Sequence, residues 1–412
     1  MVITRRRMLG STLIGASFAG ALARRAAAAG PVLRIGVMND MSGPYRDVSG
    51  PGSVACVNQA LEDFGVPGKG FAVEVLTADH RNNPDVGATI ARQWCDRENI
   101  DMILDVPTSS VALAVANICR EKNRVYINSG GGTAELTGKQ CSPNTIHWAY
   151  DTYMLAKSTG GATVKAGGTS WYFLTADYVF GHNLQDQTSA VVKAAGGTVL
   201  GASAYPFPGT TDFSSLMLKA QASGAKVLGL ANAGDDTVNC IKQAHEFGLT
   251  QSMQVAGLLL TISGVHALGL AVAQGTLLTE PFYWDLNDKT RAFSARVQPK
   301  MPAGAKPNFE QAGCYSATMH YLKVAAAMGI DAAKQDGRAT VARMKATPWE
   351  DDAYGSGHIR EDGRNLNPAY LFRVKAPAES KAPWDYYTLV ATTPGDQAFR
   401  PLAEGGCPFI HT

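Results

Sequence analysis

Residues 101–133 read DMILDVPTSSVALAVANICREKNRVYINSGGGT. Asp101–Val106 and Arg124–Asn128 are short apolar runs of strand-forming residues. Between them Ser109-Ser110 offers a helix cap, and Val111, Val115 and Ile118 recur at helical spacing, which predicts one buried stripe. A strand, a capped helix and a second strand in so short a span make a βαβ unit with parallel strands, because the crossover helix returns the chain to the same sheet edge.

Outward from this unit the pattern repeats. Strands are predicted at Val32–Met38 and Ala72–Asp79, then at Trp171–Ala176, Thr198–Ala204, Val227–Asn232 and Met253–Leu260. Asn83-Pro84 starts a helix by N-cap and N1 proline, with Val86, Ile90 and Trp94 inward. Asp235 or Asp236 starts another that stops at Gly248. A further strand (Gly275–Tyr283), a long helix (308–328) and a strand-and-turn tail (349–400) follow. The expected fold class is α/β, with two doubly wound parallel-sheet lobes. The expected lobes are 31–150 plus 280–346 and 151–279 plus 347–400, with 401–412 as a C-terminal tail.

The first 29 residues stand apart. Arg5-Arg6-Arg7 is followed by Met8-Leu9, a weakly apolar stretch to Leu22 and an alanine run, Ala26 to Ala29. This is the pattern of a cleaved signal peptide of the twin-arginine type, and it predicts export to the periplasm. The segment holds five Arg and no acid, so the remainder has 32 Lys+Arg against 35 Asp+Glu, a net charge near −3. Nothing in that balance points to a nucleic-acid partner.

Seven cysteines (56, 95, 119, 141, 240, 314 and 407) form no C-x-x-C pair and no zinc spacing with the eight histidines. An oxidising compartment permits disulfides, but an odd count leaves at least one thiol unpaired, and spacing leaves the connectivity open. G-x-G-x-x-G, the Walker loop, H-E-x-x-H and G-x-S-x-G are all absent. No cofactor or metal is expected, and the chain reads as a binding protein rather than an enzyme.

Polar and aromatic residues gather where parallel strands end, the place open α/β sheets use for ligands. In the first lobe these are Tyr45, then Thr108, Ser109 and Ser110, then Gly130 and Gly132 of the glycine triplet. In the second they are Tyr178, Phe180, Asn232, Asp235 and Leu259. The hydroxyls at a helix start suit an anion as well as a cap. Two aromatic clusters, 148–151 with Tyr150 and 282–285, fall at the lobe junctions, as cleft lining or as hinge packing.

Met41-Ser42-Gly43-Pro44, Thr108-Ser109-Ser110, Glu135-Leu136-Thr137, Tyr178-Val179-Phe180-Gly181, Thr211-Asp212-Phe213-Ser214 and the Gly357–Gly363 region together resemble the leucine/isoleucine/valine-binding type of periplasmic solute-binding protein. The resemblance spans about 31–375. It implies a type I clamp with three hinge crossovers, a ligand buried by lobe closure, an ABC transporter permease as partner, and a monomer. It also implies a carboxylate site at Thr108, Ser109 and the backbone near Gly130 and Gly132. Amino-acid binders of this type carry Thr where Gly132 stands, and an acid for the ligand ammonium where this chain has Gly257-Leu258-Leu259-Leu260. Asp235 is the available substitute. The expected ligand is therefore a small carboxylate with an aromatic or apolar body, with a branched-chain or other amino acid as the alternative. A periplasmic sensor domain and a cofactor-loaded exported enzyme are the readings from other classes.

Overall fold

A computed structural model describes residues 30–410, so the expected signal peptide lies outside the described residues. The first lobe is built from β1 (Val32–Asn39), α1 (Gly50–Phe64), β2 (Ala72–Asp79), α2 (Pro84–Asp96), β3 (Met102–Asp105), α3 (Ser109–Glu121), β4 (Val125–Asn128) and β5 (Thr145–His147). Its five strands are all parallel in the order β2-β1-β3-β4-β5. Helices cover both faces, so β3 and β4 are buried along their whole length. Asn83 caps α2 by accepting from the Asp85 and Val86 amides at 2.9 and 3.2 Å. At α3 the cap is Thr108, with Ser109 as the first helical residue.

A helical stretch at 152–165, α4, leads into the second lobe: β6 (Ser170–Ala176), α5 (Val179–Ala194), β7 (Thr198–Tyr205), α6 (Ser214–Ala222), β8 (Val227–Ala231), α7 (Gly234–Glu246), β9 (Gln254–Gly257) and α8 (Ile262–Leu268). These strands are also parallel, in the order β7-β6-β8-β9, which repeats the winding of the first lobe. The predicted strands agree with those observed to within a few residues; β5, three residues long, has no signal of its own.

After β10 (Leu277–Glu280) come α9 (Asp288–Val297), α10 (Phe309–Met328) and α11 (Gly337–Lys345). Helix α10 is buried along most of its length and packs against α1. Asn308 and Gln311 close its N-terminus with a reciprocal capping box. Strands β11 (Trp349–Asp351), β12 (Gly355–Ile359) and β13 (Asn365–Leu366) then form a small antiparallel sheet, while β14 (Ala369–Val374) pairs with β10 and β15 (Tyr387–Thr393) pairs with β14.

Residues 349–366, expected with the second lobe, pack on the first. Trp349 lies against Trp148 with ring centroids 5.5 Å apart, and Arg364 bridges to His147 of β5. The chain returns there again after β15: Phe399 sits under the Arg364 guanidinium, and Cys407 is disulfide-bonded to Cys141. The remaining cysteines of the described residues, 56, 95, 119, 240 and 314, are free and buried. The disulfide closes a loop of 266 residues. Replacing both Cys141 and Cys407 by Ser should cost about 2–4 kcal/mol, read as a lowered melting temperature that reducing agent reproduces in the wild type. Equal melting of oxidised and reduced protein would count against it.

Candidate functional site

The C-terminal strand ends of the two parallel sheets face each other across a cleft, and side chains from both lobes close a cavity there. The first lobe contributes Tyr45 and Val48 after β1, Pro107 after β3, Tyr150 from the first crossover and Glu310 from the first turn of α10. The second contributes Tyr178 and Phe180 after β6, Ala233 after β8 and Leu259 after β9. The cavity volume is about 10 Å³. That is room for about one water molecule, so a ligand has to part these walls to be held between them.

The lobes touch across the cleft. The Tyr45 and Tyr178 hydroxyls are hydrogen-bonded at 2.6 Å, and Phe207 stacks on Tyr178 at 4.5 Å and on Tyr45 at 5.2 Å. The Asp235 amide donates to the Pro44 carbonyl at 3.0 Å. This approach requires glycine at 234, where φ is +59° and a Cβ would stand 2.2 Å from that carbonyl oxygen. These contacts define a closed clamp.

Of the residues singled out from sequence, Tyr45, Tyr150, Tyr178, Phe180 and Leu259 meet in the cavity wall. Gly130 and Gly132 lie directly behind it. The Tyr150 hydroxyl donates to the Gly130 carbonyl at 2.8 Å, and a Cβ on Gly132 would meet the rings of Phe180 and Tyr150 at 2.7 and 2.9 Å. Thr108 and Ser109 are buried with their hydroxyls engaged internally: Thr108 donates to the Asn82 side chain, and Ser109 Oγ accepts from the Thr133 amide at 3.2 Å. Ser110 is outside the wall. Asn232 is occupied by Thr237 and Cys240 within its own lobe. Asp235 is exposed at the rim, because as an early residue of α7 it turns toward solvent. The junction aromatics divide: Tyr150 lines the cavity, whereas Trp148 packs on His320 and Trp349, and Phe282 on Phe293 and Tyr354.

Sequence reasoning missed Glu310, Pro107, Val48, Ala233 and Phe207. The Asn308 and Gln311 pattern marks a helix start, but it carries no sign that this start points into the cleft. Glu310 is 2% exposed, and burial holds its carboxyl well above the usual carboxylate range. Asp105, at the end of β3, is fully buried, and burial pushes it up to about 7. In the second lobe burial likewise raises Asp236 to about 7, where it accepts from the Tyr205 hydroxyl at 2.9 Å.

Asp105 makes a pH prediction. Its folded value exceeds the unfolded ~3.9, so the native state keeps a proton that the unfolded chain releases. Stability is intact below about pH 4 and is lost as pH rises toward 7. In ligand-free protein, Asp105→Asn is therefore expected to raise the melting temperature more at pH 8 than at pH 5. A difference independent of pH would refute the assignment.

Residues 32–381 match the family model described as periplasmic binding protein. A solved periplasmic binding protein from Burkholderia mallei is 45% identical, with a TM-score of 0.88 and coverage of 92% of this chain and 98% of that one. A branched chain amino acid ABC transporter periplasmic ligand-binding protein from Burkholderia xenovorans LB400 is 36% identical, with a TM-score of 0.79 and coverage of 91% and 99%. Among curated proteins, Leu/Ile/Val-binding protein homolog 4 of Brucella melitensis biotype 1 is 24% identical over 301 residues, 69% of this chain and 71% of the relative.

Proposed function

Because this chain belongs to the periplasmic binding protein family, and within it to the leucine/isoleucine/valine-binding type, we propose that it captures one compact molecule between its lobes and delivers it to an inner-membrane permease. Its relatives are periplasmic ligand-binding components of ABC transport systems and not enzymes, and so is this chain. None of the helices among the described residues is long and apolar enough to cross a membrane. The proposal extends to export by the N-terminal signal and to action as a monomer.

The observation that carries the reading is the closed cavity walled by Tyr45, Tyr150, Tyr178 and Phe180 with Leu259. Such walls favour an aromatic or apolar body; a stacked ring gains about 0.5–1.5 kcal/mol beyond its area burial. The carboxylate expected from Thr108 and Ser109 is poorly served, since Thr108 commits its proton to Asn82, leaving only the Ser109 hydroxyl to donate, and Glu310 shares the wall. The second reading, an amino acid, gains from that same Glu310, which offers an acid although 257–260 holds none.

The test is a thermal-shift screen of the refolded chain from residue 30 onward. Benzoates and phenylacrylates are set beside branched-chain and aromatic amino acids, small amides and aliphatic acids. A ligand at 100 times its Kd adds ~2.7 kcal/mol, a shift of a few degrees. A shift with compact aromatic or apolar members supports the reading. Shifts confined to sugars or peptides run as controls would overturn it.

A further inference from the structure

Two carboxyls converge on one point directly behind the cavity wall, at Gly130. A Cβ on Gly130 would stand 2.7 Å from Asp105 Oδ1 and 3.0 Å from Glu310 Oε2. Among the described residues neither Asp105 oxygen nor Glu310 Oε2 has a hydrogen-bond partner. The Ser53 hydroxyl and Cys314 thiol approach Asp105 without reaching hydrogen-bond geometry. Other buried acids are provided for: Asp101 faces Arg124 and Lys334, Asp362 faces Arg360, Asp151 faces Arg364, and Glu280 accepts from Tyr387. An unpaired buried carboxylate is costly, so each of these two is held toward its protonated form.

The backbone keeps this arrangement at a cost. Asp105 and Val106 have φ of +79° and +62°, a region that a β-branched residue rarely enters. The turn they make sets Pro107 into the cavity wall while the Asp105 carboxyl stays behind it. Such strain is retained where the surrounding structure over-determines it, often at ligand sites.

We propose that Glu310, with Asp105 behind it, anchors a basic nitrogen of the ligand, whose ammonium supplies the counter-charge that both carboxyls lack. This rests on the reading of the cleft as the ligand site. Glu310 lines the cavity from the first lobe, and the Tyr150, Tyr178 and Phe180 rings share its wall. A carboxylate among aromatic rings favours an ammonium over a neutral or anionic group. The second lobe then contributes ring and aliphatic surface rather than the acid.

The experiment has two arms. The chain purified without unfolding is examined by native mass spectrometry for a bound small molecule. The refolded chain is titrated calorimetrically with matched probes: leucine against 4-methylpentanoate, phenylalanine against 3-phenylpropanoate, benzylamine against benzoate. The nitrogen-bearing member of at least one pair is expected to bind, and its nitrogen-free partner at least about thirty-fold more weakly. Glu310→Gln keeps the shape, and its thermal unfolding verifies folding. It should weaken the nitrogen-bearing probe by about thirty-fold or more and spare the partner. Asp105→Asn should weaken the same probe by less.

Equal binding of the nitrogen-free partners, an unchanged Kd in Glu310→Gln, or a co-purified molecule without a basic nitrogen would overturn the anchor and leave the clamp standing. A wild-type chain that carries no molecule and binds no probe would overturn both.

Discussion

Arg364→Ala is expected to cost about 3–5 kcal/mol of stability. The Arg364 side chain is fully buried, 3.8 Å from the equally buried carboxylate of Asp151. It donates to the Tyr150 carbonyl at 2.9 Å and the Asn365 carbonyl at 3.1 Å, and its guanidinium lies 4.4 Å from the Phe399 ring centroid. Its removal leaves the Asp151 charge without its counter-ion and the Tyr150 carbonyl without a donor. Since Tyr150 is both crossover and cavity wall, ligand affinity should fall along with stability. Thermal unfolding checks the first effect. The mechanism is checked by adding Asp151→Asn, which should recover part of the loss. A double variant no better than the single one would show that packing, not charge, dominates.

Gly132→Thr is expected to lower ligand affinity by about 10–100-fold in a chain that still folds. The new Cβ would stand 2.7 Å from Phe180, 2.9 Å from a Tyr150 ring carbon and 3.0 Å from its hydroxyl. Both rings are part of the cavity wall, and overpacking such a site costs about 1–3 kcal/mol. Relief requires Tyr150 to leave the Gly130 carbonyl or Phe180 to swing away from it. Gly132→Ala should show a smaller loss in the same direction, because it adds the Cβ alone. Measurement is by calorimetry with whichever probe binds the wild type. Unchanged affinity in both would mean that the ligand sits away from these two rings.

The same position shows how the resemblance and the geometry correct each other. Thr at 132 belongs to amino-acid binders of this type, and its absence argued against an amino acid. The structure gives another reason for glycine there: two aromatic rings occupy the space a side chain would need. Likewise the missing acid at 257–260 argued against an ammonium, yet Glu310 brings an acid to the cavity from the other lobe. Asp235 looked like its substitute because it begins a helix after a strand. It sits one residue too early in α7, where the side chain turns to solvent and only the backbone amide works, bridging to Pro44.

Local pattern determined much by itself. Apolar runs bounded by caps and turns located β1 to β4 and β6 to β9, and parallel pairing followed from the helices between them, since such crossovers have essentially one connection. Aromatic residues directly after strand ends were also legible, because parallel sheets place that end at the ligand crevice. What lay beyond sequence needed contacts between distant segments. The placement of 349–366 on the first lobe depends on Trp349 meeting Trp148, and the Cys141–Cys407 bond joins residues that no spacing relates. Glu310 and Asp105 are separated by 205 positions and by two lobe crossings, and each alone reads as an ordinary polar residue. Only packing makes them neighbours, and only burial turns two carboxyls into one unmet electrostatic demand.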